Sequence, residues 1–319
     1  MNTDQKILQN KELSHSPVRK NVIKEIKRHI PIYLLMAIPL LYYIIFKYIP
    51  IWNSQIAFKD FMALDGVLGS KWVGFENFKT FFGSFYFWEL LRNTIFYSFG
   101  KLLVGVPTAI MLAIMIYETN HPKFGKLVQT LSYLPHFLSW VIVYGILLVL
   151  LAPGDGIIND LIKFLGGKPI DFLTNKKTFP AIVILSDAWK EMGWSAIIFI
   201  AALMAIDPSL FEAAAVEGVS AWQRVWYITL PSIKPVIIMV VILKLGTILD
   251  AGFNQIFMLY SVPVYSVADI IDTWVYRQGL LEFKFGLATA VGLFKGAIGM
   301  TMVLLSNYMV KRLSDSSVI

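Results

Sequence analysis

The chain has 319 residues, 57% of them hydrophobic and only 15% charged, with a mean hydropathy of +0.64. Such values exclude an ordinary soluble domain of this length and point to a polytopic membrane protein. The formal net charge of +7 would suit a nucleic-acid binder, but the basic residues gather in tails and loops beside apolar runs, where they set topology; no nucleic-acid partner is expected. With no cysteine, there is no disulfide framework, no thiol nucleophile and no thiolate metal site.

In chain order, residues 1–17 are polar and read as a disordered tail. Val18, Val22, Ile26 and Ile30 then recur every four residues, with Arg19, Lys20, Lys24, Lys27 and Arg28 between them. The pattern suits a basic amphipathic helix on an anionic membrane surface, or simply a positively charged topogenic flank. The first long apolar run starts near Ile30 without a small-residue cleavage site after it, so it reads as a retained span, not a cleaved signal. Residues 1–29 are therefore taken as an N-terminal tail, 30–310 as the membrane domain and 311–319 as a C-terminal tail.

Six spans are expected. The first is Ile30–Ile49, interrupted by Pro39 and closed by Pro50. The second is Asn93–Tyr117 and the third Leu127–Leu151, kinked at Pro135, with His136 beside it as a satisfied polar residue. The fourth is Phe179–Ile206, the fifth Ser232–Ala251 and the sixth Leu287–Val310. Gly292, Gly296 and Gly299 form a strip for close helix packing on the sixth. Loops 118–126 and 207–231 share a side with both termini, and that side, tails included, carries more Lys and Arg than the longer opposite loops do. The positive-inside rule places that side, and both termini, in the cytoplasm. The opposite loops, 50–92, 153–178 and 252–286, are long for connectors. The first is rich in aromatic residues, among them Trp52, Trp72, Phe75 and Trp88. It reads as an interfacial aromatic belt, or as a docking surface for an extracellular protein.

The loop 207–231 is polar and well capped between two apolar segments. Asp207–Pro208 reads as an N-cap and first helical position, with a helix through Glu212, Ala213, Ala214 and Ala215 until Gly218 breaks it. Ser220 and Gln223 have capping-box spacing, so a second short helix is expected to start there. Small residues at Ala213, Ala214 and Gly218 would let a partner's backbone approach closely, and Glu212 would offer it a carboxylate. The bland alternative is a solvated amphipathic loop helix.

Glu212-Ala213-Ala214, three residues, Gly218, nine residues, then Ile228-Thr229-Leu230-Pro231 resembles the EAA loop of bacterial ABC importer permeases. The segment AGFNQIFMLYSVPVYSVADIIDTWVYRQGL is similar to the carbohydrate-importing branch, in particular permeases for oligosaccharides or polysaccharides. The resemblance implies an all-α fold of six transmembrane helices, the type I ABC importer permease fold, in a bacterial plasma membrane. It implies that Glu212, Ala213, Ala214, Gly218, Ile228, Leu230 and Pro231 couple the chain to a separate ATPase. It further implies a heterodimer with a second homologous permease, two ATPase subunits that carry ATP and Mg, and an extracellular solute-binding protein delivering a carbohydrate. No cofactor is expected in this chain itself.

Ionisable residues within the spans cost about 2.5–3.5 kcal/mol each on insertion scales and usually face a cavity or a partner helix. Here they are Lys101, Asp187, Lys190, Glu191, Lys244, Asp250 and Lys295. Asp187, Glu191 and Trp194 share one face of the fourth span, with Trp189 to one side. A tryptophan stacking on a pyranose, with carboxylates accepting from hydroxyls, suits a sugar-lining surface. Lys244, Asp250 and Asn254 complete the candidate set. The plainer reading is that Lys190 or Lys244 pairs with an acid across the bundle only to offset burial. Enzyme signatures are missing: there is no G-x-x-x-x-G-K-[ST] phosphate loop, no H-E-x-x-H and no G-x-S-x-G. The reading is a sugar-importing ABC permease that does not itself hydrolyse ATP. The alternatives are the same importer class for a non-sugar solute, or a secondary transporter, which would show repeated halves and discontinuous helices.

Overall fold

The structure, a computed structural model, describes residues 28–119 and 121–313. The expected N-terminal amphipathic helix lies almost wholly outside those residues, as does most of the C-terminal tail. The chain divides into two compact units, one ending at Gln55 and the other beginning at Ile56.

In the first unit, α1 (Ile30–Tyr43) starts with proline in its first turn and carries Pro39 inside. Pro50 does not close the span. The helix widens into a π turn over Ile44–Tyr48, where Ile49 donates to the Ile44 carbonyl. That wider turn absorbs the amide that Pro50 lacks, and the helix continues over Ile49–Trp52. The whole stretch Ile30–Phe58 is long and apolar enough to cross a bilayer.

The second unit begins with a small folded insertion. Strands β1 (Lys59–Asp60) and β2 (Lys71–Trp72) pair antiparallel. The Lys59 amine donates to the Val67 carbonyl at 2.5 Å and sits 4.8 Å from the Trp72 ring centre, which allows a lysine to be buried here. The amide of Asn77, on α2 (Glu76–Phe82), ties down the Ala57 and Lys59 carbonyls at 2.9 and 3.0 Å. Residues 50–92 are thus not merely an aromatic belt: Phe81, on α2, packs with Phe87, Trp274 and Phe294.

The spine of the unit is α3 (Phe87–Tyr117) against α7 (Phe179–Met204). Ala109, Ala113 and Ala196 are fully buried in one core cluster with Phe199, Leu203 and Ile233, so alanines set the close approach of these helices. Between the two lie α4 (Pro122–Tyr133) and α5 (Trp140–Leu151), which correct the expected third span. They meet at 105°. Pro135 lies in a 3-10 turn, Leu134–Phe137, and Ser139 restarts the helix as an N-cap accepting from the Ile142 amide. The short α6 (Ile157–Phe164) follows; the buried Asn159 fastens it to the carbonyls of Leu151, Ala152 and Ile170.

After α7 the chain turns through α8 (Pro208–Val216), bent 73° away from it. The expected second loop helix is the first turn of α9 (Ala221–Gly246), a continuous stretch of 26 residues that includes a π turn at Val225–Thr229. It stops at Gly246, short of the expected Ala251. Residues 247–252 form turns ending at Gly252, whose φ of +88° requires glycine. The stretch 252–286 is not a surface loop either. It holds α10 (Phe253–Leu259) and α11 (Ile271–Tyr276), and Gln255 is fully buried against α7, donating to Val183 O at 2.7 Å and Ser186 Oγ at 2.9 Å. Last comes α12 (Phe285–Leu313). Its glycine strip is only partly used: a side chain at Gly299 would collide with the Gly246 carbonyl, whereas Gly292 and Gly296 face open space. Among the described residues, four helical stretches can cross a membrane alone, and six do if α4–α5 and α7–α8 each count as one bent span.

Candidate functional site

Lys101 lies midway along α3 and Glu191 midway along α7, so the charges these helices carry sit at their centres, not their ends. A cavity of about 430 Å³ opens there, lined by Lys101, His136, Asp187, Glu191, Trp194, Lys244 and Asp250, with Ser98 and Thr247. Five of the seven expected lining residues therefore meet in it: Asp187, Glu191, Trp194, Lys244 and Asp250. Trp189 does not. Two residues from Asp187 on a helix is about 200° of rotation, and Trp189 faces a separate apolar cavity with Val143, Leu147 and Leu185. Asn254 is also outside the cavity; it is exposed, and its neighbour Gln255 takes the inward position.

The acids are held by bases that the fold brings to them. Lys101 Nζ lies 3.2 Å from Asp187, donates to the Ala251 carbonyl at 2.8 Å and also to Gln255 Oε1. Lys190 Nζ reaches Glu191 at 3.2 Å and donates to the His136 carbonyl at 2.6 Å. That carbonyl is available because the third span breaks at Pro135, which frees it from helical pairing. The break also orients the imidazole: His136 Nδ1 meets Glu191 at 2.7 Å, and the ring stacks on Trp194 at 4.5 Å between centroids, 2° from parallel. Paired and hydrogen-bonded on several sides, such charges are tolerated at membrane depth. His136 is thus a partnered polar residue as expected, but one that also lines the cavity. Its place beside Pro135 and ahead of the Ser139 cap was the available sequence signal.

The second candidate surface is the 207–231 loop. Asp207 caps α8, accepting from the Ser209 amide at 2.9 Å; that hydrogen bond holds the exposed carboxyl below its ordinary value of 3.8. The Ser220–Gln223 capping box is present in both directions. Gly218 has a φ of +69° with nothing near its missing side chain, so the turn demands it, not a close approach. Glu212 and Ala213 are exposed, and Ala214 is buried. Phe211 anchors the helix inward, against Tyr117 and under the Arg224 guanidinium, which is itself ion-paired with Glu118. Ile228 and Leu230 are half-buried and Pro231 is exposed. Ala213, Ala214, Glu217, Gln223, Tyr227 and Ile228 line a groove of about 360 Å³.

Residues 90–316 match the sequence family described as the binding-protein-dependent transport system inner membrane component. The chain belongs to that family. It is 41% identical over 300 residues to the polygalacturonan/rhamnogalacturonan transport system permease protein YteP of Bacillus subtilis (strain 168), covering 94% of each chain. It superposes with a TM-score of 0.84 and 38% identity on a chain of a bacterial alginate ABC transporter, solved in complex with an alginate pentasaccharide-bound periplasmic protein; the match covers 92% of this chain and 99% of that one. A second structure, of a bacterial ABC transporter involved in the import of the acidic polysaccharide alginate, matches with a TM-score of 0.85 over the same shares. The fold is accordingly that of type I ABC importer permeases, and the family's members are multi-pass membrane components of such importers, distinct from the subunit that hydrolyses ATP.

Proposed function

We propose that this permease moves an oligosaccharide derived from an acidic polysaccharide into the cytoplasm of a bacterium. The observation that carries the reading is the mid-membrane cavity, which combines charged groups with one flat aromatic pair. Ser98 adds a buried hydroxyl without a hydrogen-bond partner among the described residues. An apolar solute would gain nothing from such a lining, whereas a saccharide can exchange hydrogen bonds with it and stack on Trp194. The substrates of relatives, polygalacturonan or rhamnogalacturonan in one case and alginate in another, supply the chemical class.

In this reading both termini and the 207–231 loop lie in the cytoplasm of a plasma-membrane protein. The chain pairs with a second, homologous permease. An extracellular binding protein delivers the sugar, as the periplasmic protein of the alginate system carries its pentasaccharide. Of two ATPase subunits, which hold ATP and Mg, one grips the surface around Glu212, Ala213, Gly218, Ile228, Leu230 and Pro231, while Ala214 supports α8 from within. Closure of the ATPase pair pulls on α8. Because Asp207 joins it to α7 and Ser220 to α9, the pull reaches the two helices that carry Glu191 and Lys244. The cavity then changes the side to which it opens, a two-state repacking driven by the partner.

Glu212→Lys tests the coupling. The carboxylate is exposed on a capped helix, so reversing its charge costs the fold little but meets the partner directly. At matched membrane levels, ATPase co-purification and oligosaccharide uptake should both be lost. Wild-type uptake in this variant would remove the coupling role.

A further inference from the structure

The charges of the central cavity do not all find partners, and the exception is informative. Lys101 and Lys190 are each committed to a carboxylate and to one backbone carbonyl. Asp250, whose Oδ1 accepts from the Gly252 amide at 3.3 Å, lies within the electrostatic reach of the Lys101 amine, as do Asp187 and Glu191. The acids of the cavity therefore face Lys101 and Lys190. Lys244 lines the same cavity and is exposed, yet among the described residues its amine has no ion pair and no hydrogen bond. It projects from the last turn of α9, where carbonyls without helical partners favour a cation. An amine that the protein leaves without a partner is solvated by water or taken by an anion.

We propose that Lys244 is the specificity residue that recognises the carboxylate of an acidic sugar unit in the cavity, with Trp194 offering the stacking surface. The proposal rests on the oligosaccharide reading above and adds to it the group that distinguishes a uronate from a neutral hexose. A free amine with three donors suits one carboxylate, and the paired lysines cannot compete for it without abandoning Asp187 or Glu191. The neutral parts of the sugar are left to Trp194, whose indole is 47% exposed, so charge selection and general sugar binding fall on different side chains.

The test uses the complete transporter with its binding protein, and two probes of equal length: a galacturonate trisaccharide and the same trisaccharide with its carboxylates methyl-esterified. Lys244→Gln should raise the KM for uptake of the acidic probe by about tenfold or more, the scale of a lost charge-assisted hydrogen bond, and affect uptake of the ester far less. Lys244→Arg should retain acidic uptake. Equal losses for both probes, or no loss for either, would overturn the assignment. If wild-type transporter takes up the ester but not the acid, Lys244 is not a carboxylate reader although the sugar reading stands. If it takes up neither probe, the sugar reading itself falls and the assignment with it.

Discussion

The central cavity and the α8 surface handle charge and apolar area in opposite ways. In the cavity, Lys101, Asp187, Lys190 and Glu191 neutralise one another over short distances, and the aromatic faces of Trp194 and His136 cover each other. Around α8, Glu212 has no partner among the described residues, and Val216, Trp222 and Tyr227 are 89%, 70% and 79% exposed. Exposed apolar area of that kind beside a groove marks a surface that another protein covers. A cavity whose acids are neutralised by its own bases, with Lys244 left over for the cargo, keeps its shape between cargoes, whereas a surface that leaves itself unsatisfied is finished only by its partner. The two regions are joined by α7 and α9, which run from one to the other.

This contrast can be broken at three points, in falling order of expected effect. Lys101→Met removes the base from a largely enclosed pair and strands Asp187; the loss should be about 3 kcal/mol of stability, seen as reduced membrane abundance and a lower Tm. Adding Asp187→Leu should recover most of it. A Lys101→Met protein of normal stability would mean that the pair is not structural. Glu212→Lys comes next, with uptake lost and abundance untouched. Trp194→Ala should be mildest. The indole is 47% exposed and stacks on one ring, so its truncation should cost about 1 kcal/mol of stability, while uptake falls several-fold for want of a sugar platform. A large drop in Tm with normal transport per molecule would assign Trp194 to packing instead.

The same contrast explains what could be read in advance. The α8 loop is governed by local chemistry: Asp207 with Pro208, Gly218 in its left-handed turn and Ser220 with Gln223 each act within a few residues, and all are visible in the sequence. The spans were legible as apolar runs, but their interruptions were not. Pro135 announces a kink; that it yields a 105° break depends on α4 packing against α7 at Gly193, where any side chain would strike the Ser132 carbonyl. The pairing of Lys101 with Asp187 and the burial of Gln255 against Val183 are long-range contacts without a sequence period. Trp189, expected to one side of the Asp187–Glu191–Trp194 face, turns far enough round α7 to line the separate apolar cavity, and Asn254 is exposed while Gln255 takes the buried position.

The central claim, that this chain is the passive translocation path of an ATP-driven importer, is tested most directly by transport in proteoliposomes. The permease pair and its ATPase are reconstituted, the binding protein loaded with an acidic oligosaccharide is added on the opposite face, and sugar accumulation is followed while ATP and ion gradients are varied separately. The account predicts uptake that requires both ATP and the binding protein and is indifferent to proton or sodium gradients. Gradient-driven uptake by the permease without ATP would contradict it.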